Sequence, residues 1–145
     1  MALLIIPLLV LIKNTAELLM HNLPTKIQLH KKSNILELHF QANIFRLSAE
    51  YLRVYSPSAE VKGHGPNQAV LQYGKQDVGI KTIEKAGNYA LKIFFDDGHE
   101  TGLFTWDYLY ELGENADKYW QTYLQKLEQA GKSREKNTSV VKFIG

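Results

Sequence analysis

Five histidines are the first place to look for chemistry, because an imidazole can ligate a metal, move a proton or activate a hydroxyl near neutral pH. They head the tripeptides His21-Asn22-Leu23, His30-Lys31-Lys32, His39-Phe40-Gln41, His64-Gly65-Pro66 and His99-Glu100-Thr101. A facial iron site requires a His-x-Asp/Glu pair with a second, distant histidine, and none of the five begins such a pair. Gly63-His64-Gly65 is followed by Pro66-Asn67-Gln68, so the third glycine of a dinucleotide loop is missing, as is a Walker phosphate loop. There is no G-x-S-x-G elbow, and scattered Ser, His and Asp residues do not announce a triad, which is a spatial arrangement. Two histidines have distinctive settings. Asp97 and His99 flank Gly98, which predicts neighbouring side chains at a solvated hairpin tip. His64, between two glycines, is expected to be exposed and available for contact. Trp106, Tyr108 and Tyr110 offer ring faces for stacking, but on a short helix beside a sheet they are expected in the core.

Composition narrows the functional classes. The net charge is +2, and the segment from Gly131 to Gly145 carries Lys132, Arg134, Lys136 and Lys142 against Glu135. That tail is +3, leaving −1 for the rest, so the sequence pI near 8.7 reflects the tail. A near-neutral body argues against a phosphate-binding groove, and no nucleic-acid partner is expected. With no cysteine, disulfides, thiolate metal sites and cysteine nucleophiles are excluded, which favours a cytoplasmic location. The apolar run Ala2 to Ile12 is interrupted by Pro7 and is far shorter than the roughly 20 residues of a spanning helix. No basic residue precedes it and no small-x-small pattern follows before Lys13. Residues 1–22 therefore read as an apolar extension, with Met20 as the expected native start and no membrane span.

From Thr25 the apolar period becomes two: Ile27 and Leu29, then Leu36, Leu38 and Phe40, alternate with polar residues, which predicts two antiparallel strands joined by a turn at Lys31 to Asn34. Ile44 to Leu47 reads as a third strand. Ser48 stands as N-cap of a short helix with Glu50 in its first turn, and Ser56-Pro57-Ser58 ends it. Val61 to Asp77, with Gly63, Gly65, Pro66 and Gly74, reads as a long loop of the kind that is functional or mobile. Val78 to Glu84 and Tyr89 to Phe95 follow as strands. A tight turn at Asp96-Asp97-Gly98 leads to a return strand His99 to Phe104, with Leu103 toward the core. Thr105 caps a helix Trp106 to Leu112, with Gly113 as its stop. A last helix, Asn115 to Ala130, places Ala116, Trp120, Tyr123, Leu124 and Leu127 on one face, and Gly131 ends it. Residues 132–145 read as a basic disordered tail. The fold class is α+β: a small, mostly antiparallel sheet domain with a short helix after the third strand and two C-terminal helices.

Two stretches carry a family pattern: Leu52-Arg53-Val54-Tyr55-Ser56-Pro57-Ser58-Ala59-Glu60-Val61 with Gly63-His64-Gly65, and Phe95-Asp96-Asp97-Gly98-His99 through Trp106-Asp107-Tyr108-Leu109. From about residue 23 to 131 the chain resembles the gamma-butyrobetaine hydroxylase-like N-terminal domain in its short bacterial stand-alone form. The resemblance implies a small domain of strands with flanking helices. In gamma-butyrobetaine hydroxylase the module precedes the oxygenase domain and holds a structural zinc through three cysteines and a histidine. Similar modules are joined to Mrp-type P-loop proteins that carry iron–sulfur clusters. Carried over by position, the three cysteines fall on Ser56, Ser58 and Val61, and the histidine on His99. Only the histidine is kept, and a serine hydroxyl is a poor zinc ligand at neutral pH.

These readings predict a non-enzymatic accessory domain that docks a protein partner, an iron–sulfur carrier or an iron-dependent oxygenase, with no cofactor of its own. The expected docking surface gathers Tyr55, Ser56, Ser58, Glu60, Gly63, His64, Gly65, Asp97, Gly98 and His99. The alternatives are a regulatory or substrate-positioning piece of an oxygenase, and a domain binding Fe or Zn through His64 and His99 with Asp97 or Glu60. A chain begun at Met20 is expected to keep its thermal midpoint; a loss of several kcal/mol in denaturant titration would assign Leu3 to Ile12 to the core.

Overall fold

The computed structural model describes residues 23–136; the apolar extension to Asn22 and the tail beyond Lys136 lie outside them. The alternating segments form strands β1 (Lys26–His30), β2 (Ile35–His39) and β3 (Ile44–Ser48) in one antiparallel sheet of order β1-β2-β3. Period two sends Leu36 and Leu38 into the core, while Glu37, on the other face of β2, is clamped by Arg46, its cross-strand partner, and by His30 and His39. The His39 hydrogen bond, with Arg46, holds the Glu37 carboxyl down at about 2. A second antiparallel sheet comprises β4 (Ile80–Ala86), β5 (Ala90–Phe95) and β6 (Leu103–Thr105). Both sheets feed one core, in which Leu36, Leu38, Leu52, Leu91, Ile93 and Phe104 are buried together.

Four helices complete the described residues. Helix α1 (Ala49–Val54) starts at Ser48, whose hydroxyl accepts the Tyr51 N–H as expected of an N-cap. All six of its residues are buried, so its charges must find partners inside the fold. Glu50 accepts two bonds from Arg134, at 2.9 and 2.6 Å, and Arg53 donates to Asp97 at 2.8 Å. Helix α2 (Ala59–Lys62) follows the Ser56-Pro57-Ser58 break. Helix α3 (Trp106–Glu114) is capped by the Thr105 hydroxyl, and α4 (Ala116–Ala130) ends at Gly131, whose φ of 64° is the left-handed stop. No helix of the described residues is long and apolar enough to cross a membrane.

The class is α+β, and several details differ from the sequence reading. The start of the expected loop at Val61 is helical, within α2. The return strand is reduced to three residues and pairs Leu91 with Phe104, so Phe104 points inward and Leu103 is exposed. Lys132 to Lys136 do not begin a disordered tail: the Ser133 and Arg134 carbonyls accept the N–H groups of Gly74 and Gln76, and the Arg134 guanidinium lies over Trp120.

Gly113 does not stop α3, which runs on to Glu114. It is there because a side-chain carbon at this position would lie 2.4 Å from the Phe45 ring, and that ring is held edge-on against Tyr110. Gly113→Ala sets a helix-propensity gain of about 1 kcal/mol against an overpacking cost of about 1–3 kcal/mol. The steric cost wins, and urea titration should show a net loss of stability; a gain near 1 kcal/mol would mean that the ring yields freely.

Candidate functional site

The break after α1 and the turn after β5 meet around His99. The turn is closed by the Gly98 N–H on the Phe95 carbonyl and the Phe95 N–H on the His99 carbonyl, and it presents the His99 side chain inward, 3% exposed. The imidazole Nδ1 lies 2.9 Å from Glu60 Oε2, and Nε2 lies 2.8 Å from Ser56 Oγ and 3.2 Å from Ser58 Oγ. Burial, reinforced by the Arg53 guanidinium, holds the imidazole below its ordinary pKa of 6.5 against the upward pull of Glu60 and Asp97, so the ring is neutral near pH 7. The tautomer follows from the partners. An ionised carboxylate only accepts, so Nδ1 carries the proton and donates to Glu60, and Nε2 accepts from a serine hydroxyl. Ser58 is the N-cap of α2 yet makes no side-chain cap bond; its hydroxyl is turned to His99 instead.

A second set of bonds locks the same turn from below. Asp97 accepts from Arg53 Nε at 2.8 Å, from Lys75 Nζ at 3.3 Å and from the His99 N–H at 3.1 Å. Its pKa is lowered because these bonds outweigh the effect of burial. Arg53 also reaches Gln72 Oε1 at 3.1 Å. The turn is exposed at Asp96, Asp97 and Gly98, as expected, but His99 is buried, and the pair ties together α1, α2 and the 72–75 segment.

Serine, histidine and carboxylate in a hydrogen-bonded line have the connectivity of a hydrolytic triad. The exposure pattern is the reverse of a working one. Ser56 is 1% exposed, while the Glu60 side chain is 64% exposed, so the group that would attack is inside and the group that should be shielded is in water. The backbone at Gly102 comes close to the hydroxyl: a carbon added there would lie 2.4 Å from Ser56 Oγ. The line acts as a hydrogen-bonded knot that holds α2 to the turn.

Beside the knot is a cavity of about 300 Å³. Val54 and Val61 line it from α1 and α2, Tyr55 and Ser56 from the break between them, and Ala69, Val70, Leu71 and Gln72 from the loop. The Tyr108 and Tyr123 rings complete the apolar wall. Their hydroxyls are bonded to the Tyr55 and Gln72 carbonyls at 2.6 and 2.8 Å, and burial pushes the Tyr123 phenol up to about 12. The loop side is pinned by the Val70 N–H on the Val61 carbonyl at 2.8 Å. Lys62 and Lys126 border the opening, and the Lys62 ammonium sits 4.5 Å over the Tyr108 ring.

The family whose members are described as gamma-butyrobetaine hydroxylase-like, N-terminal, matches residues 27–110. The chain belongs to this family. One member-like structure, solved by NMR in solution, is 56% identical, with 85% of this chain and 98% of the other covered and a TM-score of 0.71. Another NMR structure is 47% identical over 84% and 92% of the two chains, with a TM-score of 0.67. A crystal structure of a protein of unknown function in the DUF971 family, from Acidithiobacillus ferrooxidans, is 32% identical over 65% and 96%, with a TM-score of 0.55. No curated protein matches the chain. Neither the family description nor these structures name a catalytic activity for the domain.

Of the residues singled out in the sequence, the structure brings Ser56, Ser58, Glu60, Asp97 and His99 together, with Tyr55 and Val61 alongside. His64 is exposed and makes no hydrogen bond or ion pair among the described residues. Gly63 has φ 76°, and an added side-chain carbon would lie 2.0 Å from the Gln68 carbonyl oxygen, so it shapes the start of the loop; Gly65 has ordinary space around it. Among the described residues no three His, Asp or Glu side chains are grouped to hold a metal. The zinc implied by the family resemblance does not fit this donor set: Val61 offers no ligand, and both imidazole nitrogens already have partners. Arg53, Gln72 and the two cavity lysines were missed in the sequence. For Arg53 the one signal is a cation within a short helix that is otherwise largely apolar.

Because His99 is depressed in the folded state, its neutral form contributes stability that is complete above 6.5 and is lost as pH falls below 6.5 through the folded value. Stability measured by urea titration should decline over that window, and His99→Gln should flatten the decline. His99→Ala, which empties the knot and leaves two buried hydroxyls short of a partner, should cost about 2–4 kcal/mol at neutral pH. An unflattened slope in His99→Gln would place the titrating group elsewhere.

Proposed function

We propose that this protein is a non-enzymatic accessory module that docks a protein partner on the face around the α1–α2 break, and that the partner is an iron–sulfur carrier or an iron-dependent oxygenase. The observation that carries the proposal is the pairing of an inside-out Ser56–His99–Glu60 line with an open, apolar, lysine-bordered cavity beside it. The first is built to hold structure rather than to turn over a substrate, since Ser56 is 1% exposed and its hydroxyl is engaged by His99. The second has the features of a binding surface, an apolar centre with a charged rim. Val70 and Tyr73, 55% and 45% exposed, extend the apolar area along the loop, and such exposed patches mark interaction sites. The class of partner comes from the family, whose relatives join this module to oxygenases and to cluster carriers.

The test is a photo-crosslinking residue placed at Val70 in the native cell, together with fluorophosphonate labelling of the purified chain. A reproducible crosslink to a cluster carrier or an oxygenase, with no label on Ser56, is the expected result. Labelling of Ser56 would establish a nucleophile, and the absence of any reproducible crosslinked partner would remove the docking reading.

A further inference from the structure

We infer that the cavity takes one large apolar side chain of a partner peptide, and that an acidic residue beside that anchor is held by Lys62 and Lys126. The inference rests on the docking reading and names the chemistry recognised. At about 300 Å³ the cavity is at the bottom of the range for small-molecule sites, roughly 300–1,000 Å³, and suits an anchor residue of the kind that dominates interfaces. Its wall is mostly apolar, with Ser56 and Gln72 as its uncharged polar members. Tyr108 and Tyr123 spend their hydroxyls on backbone carbonyls and turn ring surface to the space, while Val54, Val61 and Leu71 add only aliphatic groups.

Charge decides what accompanies the anchor. Neither Lys62 nor Lys126 has a carboxylate partner among the described residues, whereas Arg53, Lys75 and Arg134 nearby are paired. Lys62 is held over the Tyr108 ring, which keeps its ammonium at the opening without neutralising it. Two unpaired cations on the rim of an apolar hole complement a carboxylate next to an aromatic or branched side chain. Lys62 is also the last residue of α2, so the His99 knot that fixes α2 positions this cation.

The experiment titrates the full chain, labelled with nitrogen-15, with acetyl-Glu-Leu-Phe-Glu-amide, with the same peptide carrying Lys for Glu, and with one carrying Ala for Leu and Phe. The acidic peptide should give saturable shifts at the Val61, Leu71 and Tyr123 amides and bind at least about tenfold more tightly than the other two, a difference of about 1.4 kcal/mol. The double variant Lys62→Glu, Lys126→Glu, checked for an unchanged spectrum elsewhere, should reverse the preference toward the basic peptide. Equal binding of acidic and basic peptides, shifts centred on another face, or no saturable shift up to about 10 mM would each overturn the inference. If octanoate saturates the same amides while no peptide does, the cavity is a small-molecule site and the peptide inference also falls. A partner crosslinked at Val70 with no peptide selectivity removes this inference alone, whereas no crosslinked partner removes the reading beneath it.

Discussion

A buried, neutral imidazole that must satisfy both of its nitrogens is the constraint on which the functional face depends. His99 meets it by donating to Glu60 and accepting from the serines, and in doing so it joins two segments about forty residues apart in the chain. The cost of leaving such a group unpaired in a low-dielectric interior exceeds the small net gain of an ordinary hydrogen bond, so the knot is more demanding than its count of bonds implies. Arg53 adds the second fastening through Asp97 and Gln72. Together they fix the position of α2 and of the loop opposite it, which are two walls of the cavity.

The same constraint connects to the family resemblance. Where the resemblance implies a zinc between these segments, this chain has the histidine with hydroxyls and a carboxylate. A metal fastens by coordinate bonds and a hydrogen-bonded array by donor and acceptor matching. The backbone can keep its approach under either, because what must be conserved physically is the closeness of the 56–60 segment to the turn, not the atoms that bridge it. Gly102, with no side chain to push Ser56 away, permits that closeness here.

Much of the fold was legible locally. Ser48, Thr105 and Gly131 act where short-range capping chemistry put them, and period two located β1 and β2. The misreadings share one cause, tertiary context. Gly113 looks like a stop until Phe45 is packed on it. Leu103 and Phe104 exchange roles because a three-residue strand has too few alternations to fix its own parity, which is set by pairing with β5. Glu50 stands in the first turn of α1 as read, while its partner, Arg134, is 84 residues away and is announced by nothing local. For the site, the meeting of Ser56 and Ser58 with His99 followed from the resemblance, and nothing in spacing alone required it. The cavity was illegible because its walls come from α1, the break after it, α2, α3, α4 and the loop, with no pattern shared among their residues.

The central claim is that His99 is a neutral, Nδ1-protonated imidazole held between Glu60 and the serine hydroxyls. Long-range proton–nitrogen correlation spectra of the His99 ring, recorded through neutral pH, test it directly because protonated and unprotonated ring nitrogens resonate far apart. The account predicts a protonated Nδ1 and an unprotonated, hydrogen-bonded Nε2 at pH 7, with conversion to imidazolium only below 6.5. An Nε2-protonated tautomer, or an imidazolium already present at pH 7, would contradict it.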